Sequence, residues 1–361
     1  MTLPLHEVHA ALGARFTEVN GHETVAHYGD PTAEHAALRS SAGILDLGAR
    51  GRFCLTGTDR VRLLHGQVTN DIVALAPLRG CYAAFVSNKG RMQADAFVYA
   101  LPNELLVDVE PGLTTTLLQR LDHYIVADDV QCVDVTPYYG LLSVQGPRAA
   151  AVLTRLNLGI ELPEANLAVA HLTDPTLGEL YVTRTARTGS QGFDLFIPLD
   201  VQAMVLDKLV AAAHEESGSL AGWEALELAR LEAGIPRFGL DIDETNLAPE
   251  AGIESRAISY SKGCYIGQET IARIAHKHAR QRAYAERHLV HFPNRRYQFW
   301  SPVVPKGRIT TGLSGIDGLE LVINGEYKQR ICALRQLAGS TTHDARNPVF
   351  RVLQILEHLR D

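Results

Sequence analysis

The spacing of apolar residues along the first 140 positions changes period several times, and each change marks an element. GRFCLTG at 51–57 places Phe53 and Leu55 on one side, which predicts a strand. TDRVRLLHG then predicts a short helix closed by Gly66. YAAFVSNKGRMQADAFVYA predicts two strands joined by a turn at 87–90. Leu105, Val107 and Val109 alternate as another strand, while Leu113, Leu117 and Leu121 take helical spacing. Val133 and Val135 return to a strand pattern. Upstream, Asp30 can cap and Pro31 open a helix that ends before Gly43.

The second half continues in the same mixture. LYVTRTARTGSQGFDLFIP predicts a hairpin, with Phe193, Leu195 and Ile197 sharing one face and Gly189 and Gly192 permitting the turn. Val201, Val205 and Leu209 mark an amphipathic helix, and GWEALELARLEAGIP a second, stopped by Gly234 and Pro236. Residues 234–269 form a long connection punctuated by glycine and proline. Its apolar residues (Ile235, Phe238, Leu240, Ile253, Ile258) predict an ordered, functional segment rather than a disordered one. Beyond 297 the periodicity is weak, apart from the helical spacing of VFRVLQILEHLR. The expected class is α+β, mostly antiparallel, with helices covering the sheet faces.

At 361 residues the chain is expected to divide into two or three domains. No long uninterrupted apolar run predicts a membrane span, and the N-terminus shows no signal-peptide pattern. Five cysteines, none in a CxxC pair, predict a reducing, cytoplasmic setting without disulfides. They offer no local set of thiolates for an iron–sulfur cluster. The net charge of −7 disfavours a nucleic-acid binder. A basic stretch nevertheless runs from Lys262 to Arg296, and reads as a solvated helix face or as a landing strip for an anionic partner.

One stretch raises a chemical question. In SYSKGCYIGQETIARI, Cys264 lies two residues after Lys262 and ahead of a possible helix start, and both features favour a thiolate. A free cysteine packed in a turn is the alternative. Cys54, Cys81 and Cys132 lie in strand-like runs and read as core. His276 and His278 have the wrong spacing for one helix face, so no metal site is expected there.

Several pieces in order, AHYGDPTAEHAALRSSAGILDL, LLHGQVTNDI, LLSVQGP, RTGSQGFDL and LEAGIPRFGLDIDETNLAPEAG, resemble the glycine-cleavage T-protein superfamily. KGCYIGQE at 262–269 is similar to the hallmark of its folate-binding YgfZ branch. The resemblance implies a three-domain ring around a central folate cavity. The domains would be 1–50 with 141–250, an inserted 51–140, and a β-barrel-like 251–361 carrying the KGCYIGQE motif. It implies a tetrahydrofolate-binding accessory protein for assembly or repair of iron–sulfur enzymes, acting through Cys264. The alternative is an aminomethyltransferase that passes a one-carbon unit to tetrahydrofolate, and the sequence leaves enzymatic turnover open between the two.

The same resemblance assigns candidate residues. Asp194, with Phe193 facing the other way, matches the acidic residue expected to hold a pterin edge. Asp95 matches one of two adjacent acids near the transferred carbon, and the other position is Ala94. Asn88 belongs to the same hairpin. From residue chemistry alone, Arg187 and Arg237 read either as ordinary surface arginines or as holders of the glutamate tail of the folate, because guanidinium pairs bidentately with carboxylates. Tyr265 is a candidate for stacking or for interdomain packing, and Asn70 and Asp71 read equally as capping or pocket groups. After residue 274 the sequence departs from the branch pattern: AHKHARQRAYAERHLV lacks the expected glycine turn and has helical spacing.

Overall fold

In the computed structural model, which describes residues 2–276, the strands form two mainly antiparallel sheets and a small ribbon. The ribbon pairs β1 (Arg15–Val19) with β2 (His22–His27), and β3 (Gly43–Asp46) follows. Then come β4 (Gly51–Thr56), β5 (Arg79–Val86), β6 (Met92–Ala100), β7 (Leu105–Val109) and β8 (Gln131–Asp134). These five make one sheet, in the order β5-β6-β7-β4-β8. The last strands are β9 (Tyr139–Gln145), β10 (Val169–Asp174), β11 (Gly178–Thr183), β12 (Gly192–Pro198) and β13 (Ser219–Leu220). With β3 they form the second sheet, β10-β11-β12-β9-β3-β13. The five-stranded sheet is thus one continuous stretch of chain, while the six-stranded sheet draws strands from both sides of it.

The helices are α1 (His6–Ala11), α2 (Pro31–Ser40), α3 (Arg60–Gln67), α4 (Thr114–Tyr124), α5 (Ala149–Arg155), α6 (Leu199–Glu215), α7 (Trp223–Glu232) and the short α8 (Glu254–Ala257). α2 begins as its sequence dictates. Asp30 accepts a hydrogen bond from the Thr32 amide, and Pro31 occupies the first turn, where its missing N–H costs nothing. α3 runs through Gly66 to Gln67, because a glycine stops a helix only where it turns left-handed, and Gly66 does not.

Each sheet covers one apolar core. Phe193, Leu195 and Ile197 of β12 pack with Val205, Leu206 and Leu209 of α6. Phe53, Leu55, Val107 and Val109 pack with Leu117 and Leu121 of α4. Burying each such side chain contributes about 1.5–3 kcal/mol. The expected tight turn between β11 and β12 is instead a longer connection, 184–191, because β12 begins only at Gly192. Val133 is exposed, since β8 is an edge strand with one face open.

The connection after α7 is ordered by pairing with the β5–β6 hairpin. The Met92 amide donates to the Asn246 carbonyl at 2.9 Å, and Arg91 bridges Leu247. Phe238, Ile253 and Ile258 are buried as expected, whereas Leu240 is exposed. Residues 251–271 continue this packing: Ile253, Tyr265 and Ile271 share a buried cluster with Tyr82, Val86 and Met92. Gly267 shows why the motif needs a glycine there. Its φ is +82°, and a Cβ would lie 2.4 Å from the Ser87 carbonyl oxygen. Among the described residues no helix is long and apolar enough to cross a membrane. Of the expected C-terminal domain 251–361, residues 277–361 lie outside the described residues, and with them His278, Cys332, the terminal helix and the basic run beyond 276.

Candidate functional site

Alternation along the five-stranded sheet separates its two faces by chemistry. Ala83, Phe85, Ala94, Ala96, Val107 and Val109 point to the apolar core. The intervening positions (Tyr82, Asp95, Phe97, Asp108, Glu110) therefore share the other face. Register brings them together, with Tyr82 opposite Phe97, Phe97 opposite Asp108, and Arg52 opposite Asp108. This face forms one wall of a cavity of about 580 Å³, within the range of small-molecule sites. Leu47 and Arg50 ahead of β4, Trp223, Leu226, Glu227 and Arg230 of α7, and residues 235–237 complete it, with Asn166, Leu167, Arg187 and Arg256.

The charges around this cavity alternate in one connected chain. Arg187 Nε donates to Asp194 Oδ2 at 2.9 Å, and its Nη2 to Asp108 Oδ2 at 2.6 Å. Arg50 Nε reaches Asp108 Oδ1 at 2.8 Å, and its Nη1 binds Glu110. Arg237 Nε donates to Glu110 Oε2 at 2.8 Å, and its Nη1 to Glu227. Arg230 then joins Glu227 at 2.9 Å to Asp241 at 2.5 Å. Desolvating an ion costs several kcal/mol, so such charges persist only when every member has a partner. Three guanidiniums also lie over cavity aromatics: Arg187 over Phe97 at 5.1 Å, Arg237 over Trp223 at 4.0 Å, and Arg256 over Tyr82 at 4.9 Å.

Asp95 differs from the other cavity carboxylates. Glu110 and Glu227 each pair with arginine, whereas Asp95 has no cation within ion-pair distance among the described residues. It accepts a hydrogen bond from Tyr82 Oη at 2.6 Å and another from its own backbone N–H. Burial, and then the negative charge of Glu110, push its carboxyl up to about 6, against the opposing pull of Tyr82 and Arg50. Burial works on Glu110 in the same direction, but Arg50 and Arg237 hold it below the ordinary carboxylate range. The wall therefore offers an ionised carboxylate beside a carboxyl that changes state near neutrality, between aromatic surfaces suited to a flat heterocycle.

Of the residues selected from the sequence, Asp95, Arg187 and Arg237 line this cavity. Both arginines are committed to internal carboxylates rather than free for a ligand. Asp194 is fully buried, lies outside the lining, and is held by Arg187 and by Ser143 Oγ at 2.6 Å. Phe193 faces the opposite core, as strand alternation requires. Asn88 is exposed at the tip of the β5–β6 hairpin, outside the lining. Asn70 acts as a tie, its amide donating to the carbonyls of Tyr82 and Arg256. Asp71 caps the Ala74 amide and faces His65 at 3.4 Å.

The KGCYIGQE stretch sits apart from the lining. Lys262 is buried, and its ammonium donates to the carbonyls of His65, Val68 and Asn70, with the Tyr265 ring 4.8 Å away. Burial lowers this lysine to about 8. Its hydrogen bonds go to backbone oxygens at and just beyond the end of α3, so it clamps the motif, and the thiol with which its charge interacts is Cys81 of β5. Tyr265 is buried against this clamp, and Cys264 is exposed and precedes the helical turn that begins at 268. Cys54 is core, but Cys81 lines the cavity, where burial pushes its thiol up to about 12. No group of His, Cys, Asp and Glu residues suited to a metal ion occurs among the described residues.

Sequence reasoning missed Tyr82, Asp108, Glu110, Arg50, Glu227 and Arg230. A signal was present: in RGRF and VDVEP, charges recur every second residue within strands whose other face is apolar. Such inward charges mark a polar interior.

Residues 5–262 match the family model described as the GCVT N-terminal domain. The chain is 30% identical over 277 residues to an aminomethyltransferase of Saccharopolyspora erythraea, covering 76% of this chain and 75% of that relative. An aminomethyltransferase of Rubrobacter xylanophilus is also 30% identical, over 75% of this chain and 71% of its own length. The crystal structure of glycine cleavage system aminomethyltransferase T from Bartonella henselae superposes with a TM-score of 0.69 at 23% identity, over 77% of this chain and 75% of that one. The chain belongs to the GCVT N-terminal domain family.

Proposed function

We propose that the cavity binds a reduced folate and that the protein is a transferase of one-carbon groups, passing an aminomethyl-derived carbon to tetrahydrofolate. The observation that carries this reading is Asp95, the cavity carboxyl without a cation partner among the described residues. A carboxyl that titrates near neutrality can exchange a proton with a ligand amine, which ion-paired Glu110 and Glu227 cannot do as readily. Tyr82, Phe97 and Trp223 supply flat surfaces for a pterin, and Arg256 is the guanidinium placed for the carboxylates of a glutamate tail. The aminomethyltransferase relatives support the same chemistry. Formation of methylene-tetrahydrofolate and ammonia from an aminomethyl-lipoyl carrier tests it. Turnover lost in Asp95→Asn is the expected result, and no turnover by the wild type rejects the transferase.

A second reading, the accessory role toward iron–sulfur enzymes, draws on residues 262–269. Its supporting observation is the exposed Cys264, presented on a loop that Lys262 fastens to the body of the protein. Under that reading Cys264→Ser keeps folate affinity and abolishes support of a cluster-dependent enzyme. Unchanged support removes the thiol from the mechanism. The three-domain ring with a C-terminal barrel belongs to both readings.

A further inference from the structure

We propose that Glu110 is a positioning residue: fixed as a carboxylate by two arginines, it strengthens the hold of the neighbouring Asp95 carboxyl on its proton, so that one wall of the cavity offers a fixed carboxylate beside a carboxyl that can take up and release a proton. The proposal rests on the reduced-folate reading for its ligand, a secondary amine that presents both a lone pair and an N–H. It does not rest on that reading for its electrostatics.

The geometry begins with strand register. β6 and β7 pair Ala96 with Val109, and the same register carried one step further sets Asp95 opposite Glu110. Cross-strand neighbours on one face have Cβ atoms about 4.5–5.5 Å apart, and like charges there oppose one another. One of the two carboxyls then holds its proton more tightly than usual, and the surrounding groups decide which. Both oxygens of Glu110 accept from guanidinium groups, Oε1 from Arg50 and Oε2 from Arg237. Asp95 receives the Tyr82 hydroxyl and its own backbone N–H, and no guanidinium.

The other charges near Asp95 do not reverse this choice. From β5 come Tyr82 and Cys81, both held neutral by burial. From β7, Asp108 is taken up between Arg50 and Arg187. Arg230 of α7 is bound to Glu227 and Asp241, and Arg187 also holds Asp194. Arg256 faces the Tyr82 ring and is the one exposed cation of the wall. The arginines thus select Glu110 as the fixed ion and leave Asp95 as the group that gains and loses a proton, an arrangement of two unlike carboxyls typical of sites that move protons.

The test is a titration of the full chain labelled with ¹³C at aspartate carboxyls, with Asp95→Asn used to assign the Asp95 signal. The expected wild-type midpoint lies about 6, and Glu110→Gln lowers it by about one unit or more, a tenfold change in the protonation equilibrium. Glu110→Asp, which restores the charge, stays close to the wild type. An Asp95 midpoint unmoved by Glu110→Gln overturns the proposal. So does a wild-type midpoint in the ordinary aspartate range, which decides the matter even where Glu110→Gln fails to fold. Tetrahydrofolate binding, measured separately, distinguishes the two levels. A normal titration without folate binding rejects the ligand reading alone, and folate binding with an unshifted titration rejects this inference alone.

Discussion

Asp95 and Asp194 are strand aspartates on the two sheets, both buried, yet their surroundings give them different partners. Asp194 on the six-stranded sheet meets Arg187 and Ser143, and its carboxylate is consumed in holding the 184–191 connection against β12. Asp95 on the five-stranded sheet faces the cavity with a tyrosine hydroxyl and a neighbouring glutamate. Burial alone therefore does not identify a functional acid. Burial raises both carboxyls, and the distinguishing feature is what else touches them: Arg187 opposes the rise at Asp194, whereas the neighbouring Glu110 adds to it at Asp95.

Substitution separates the two most strongly. Asp95→Asn is expected to lower one-carbon transfer about 10²–10⁴-fold while the protein stays folded. Asp194→Asn removes one of the two carboxylates that hold buried Arg187, Asp108 being the other, and is expected to cost up to about 3–5 kcal/mol in urea unfolding. If Asp194→Asn were neutral to stability while abolishing ligand binding, the two roles would be exchanged.

The pH dependence of stability sharpens the contrast. Asp95 keeps its proton in the folded state up to about 6, above its unfolded value of 3.8. The folded state therefore binds more protons between those limits, and this group's contribution falls as pH rises through the window. Asp95→Asn lacks that loss, so its stability should gain on the wild type between about pH 4 and 6. A constant difference across the window in urea unfolding would remove the proposed shift.

Smaller effects are expected in the KGCYIGQE stretch. Lys262→Met leaves three buried or half-buried carbonyls without their donor and is expected to destabilise by about 1–3 kcal/mol. Cys264→Ser, at an exposed site, should change stability by less than about 0.5 kcal/mol. A large loss from Cys264→Ser in thermal unfolding would make the cysteine structural.

The elements were legible because their periods are clean: Phe53–Leu55, Leu105–Val109 and Phe193–Ile197 alternate, and Leu117–Leu121 repeat at helical spacing. Asp95 was legible too, through its place in a recognisable hairpin. The ion chain was not, since Asp194, Asp108, Glu110 and Glu227 become neighbours only when two sheets and α7 converge. Lys262 shows the same limit from the other side. Its proximity to Cys264 along the chain suggested thiol activation, but the ammonium turns away to carbonyls almost two hundred residues earlier in the sequence. Sequence adjacency says which residues travel together, and the tertiary fold decides what each one faces.

Calorimetric titration of tetrahydrofolate into the wild type and Asp95→Asn tests the central claim most directly. One-to-one binding by the wild type, weakened about tenfold or more in Asp95→Asn and unchanged in Cys264→Ser, is the predicted result. Equal heats for wild type and Asp95→Asn would contradict it, placing the folate somewhere other than this cavity.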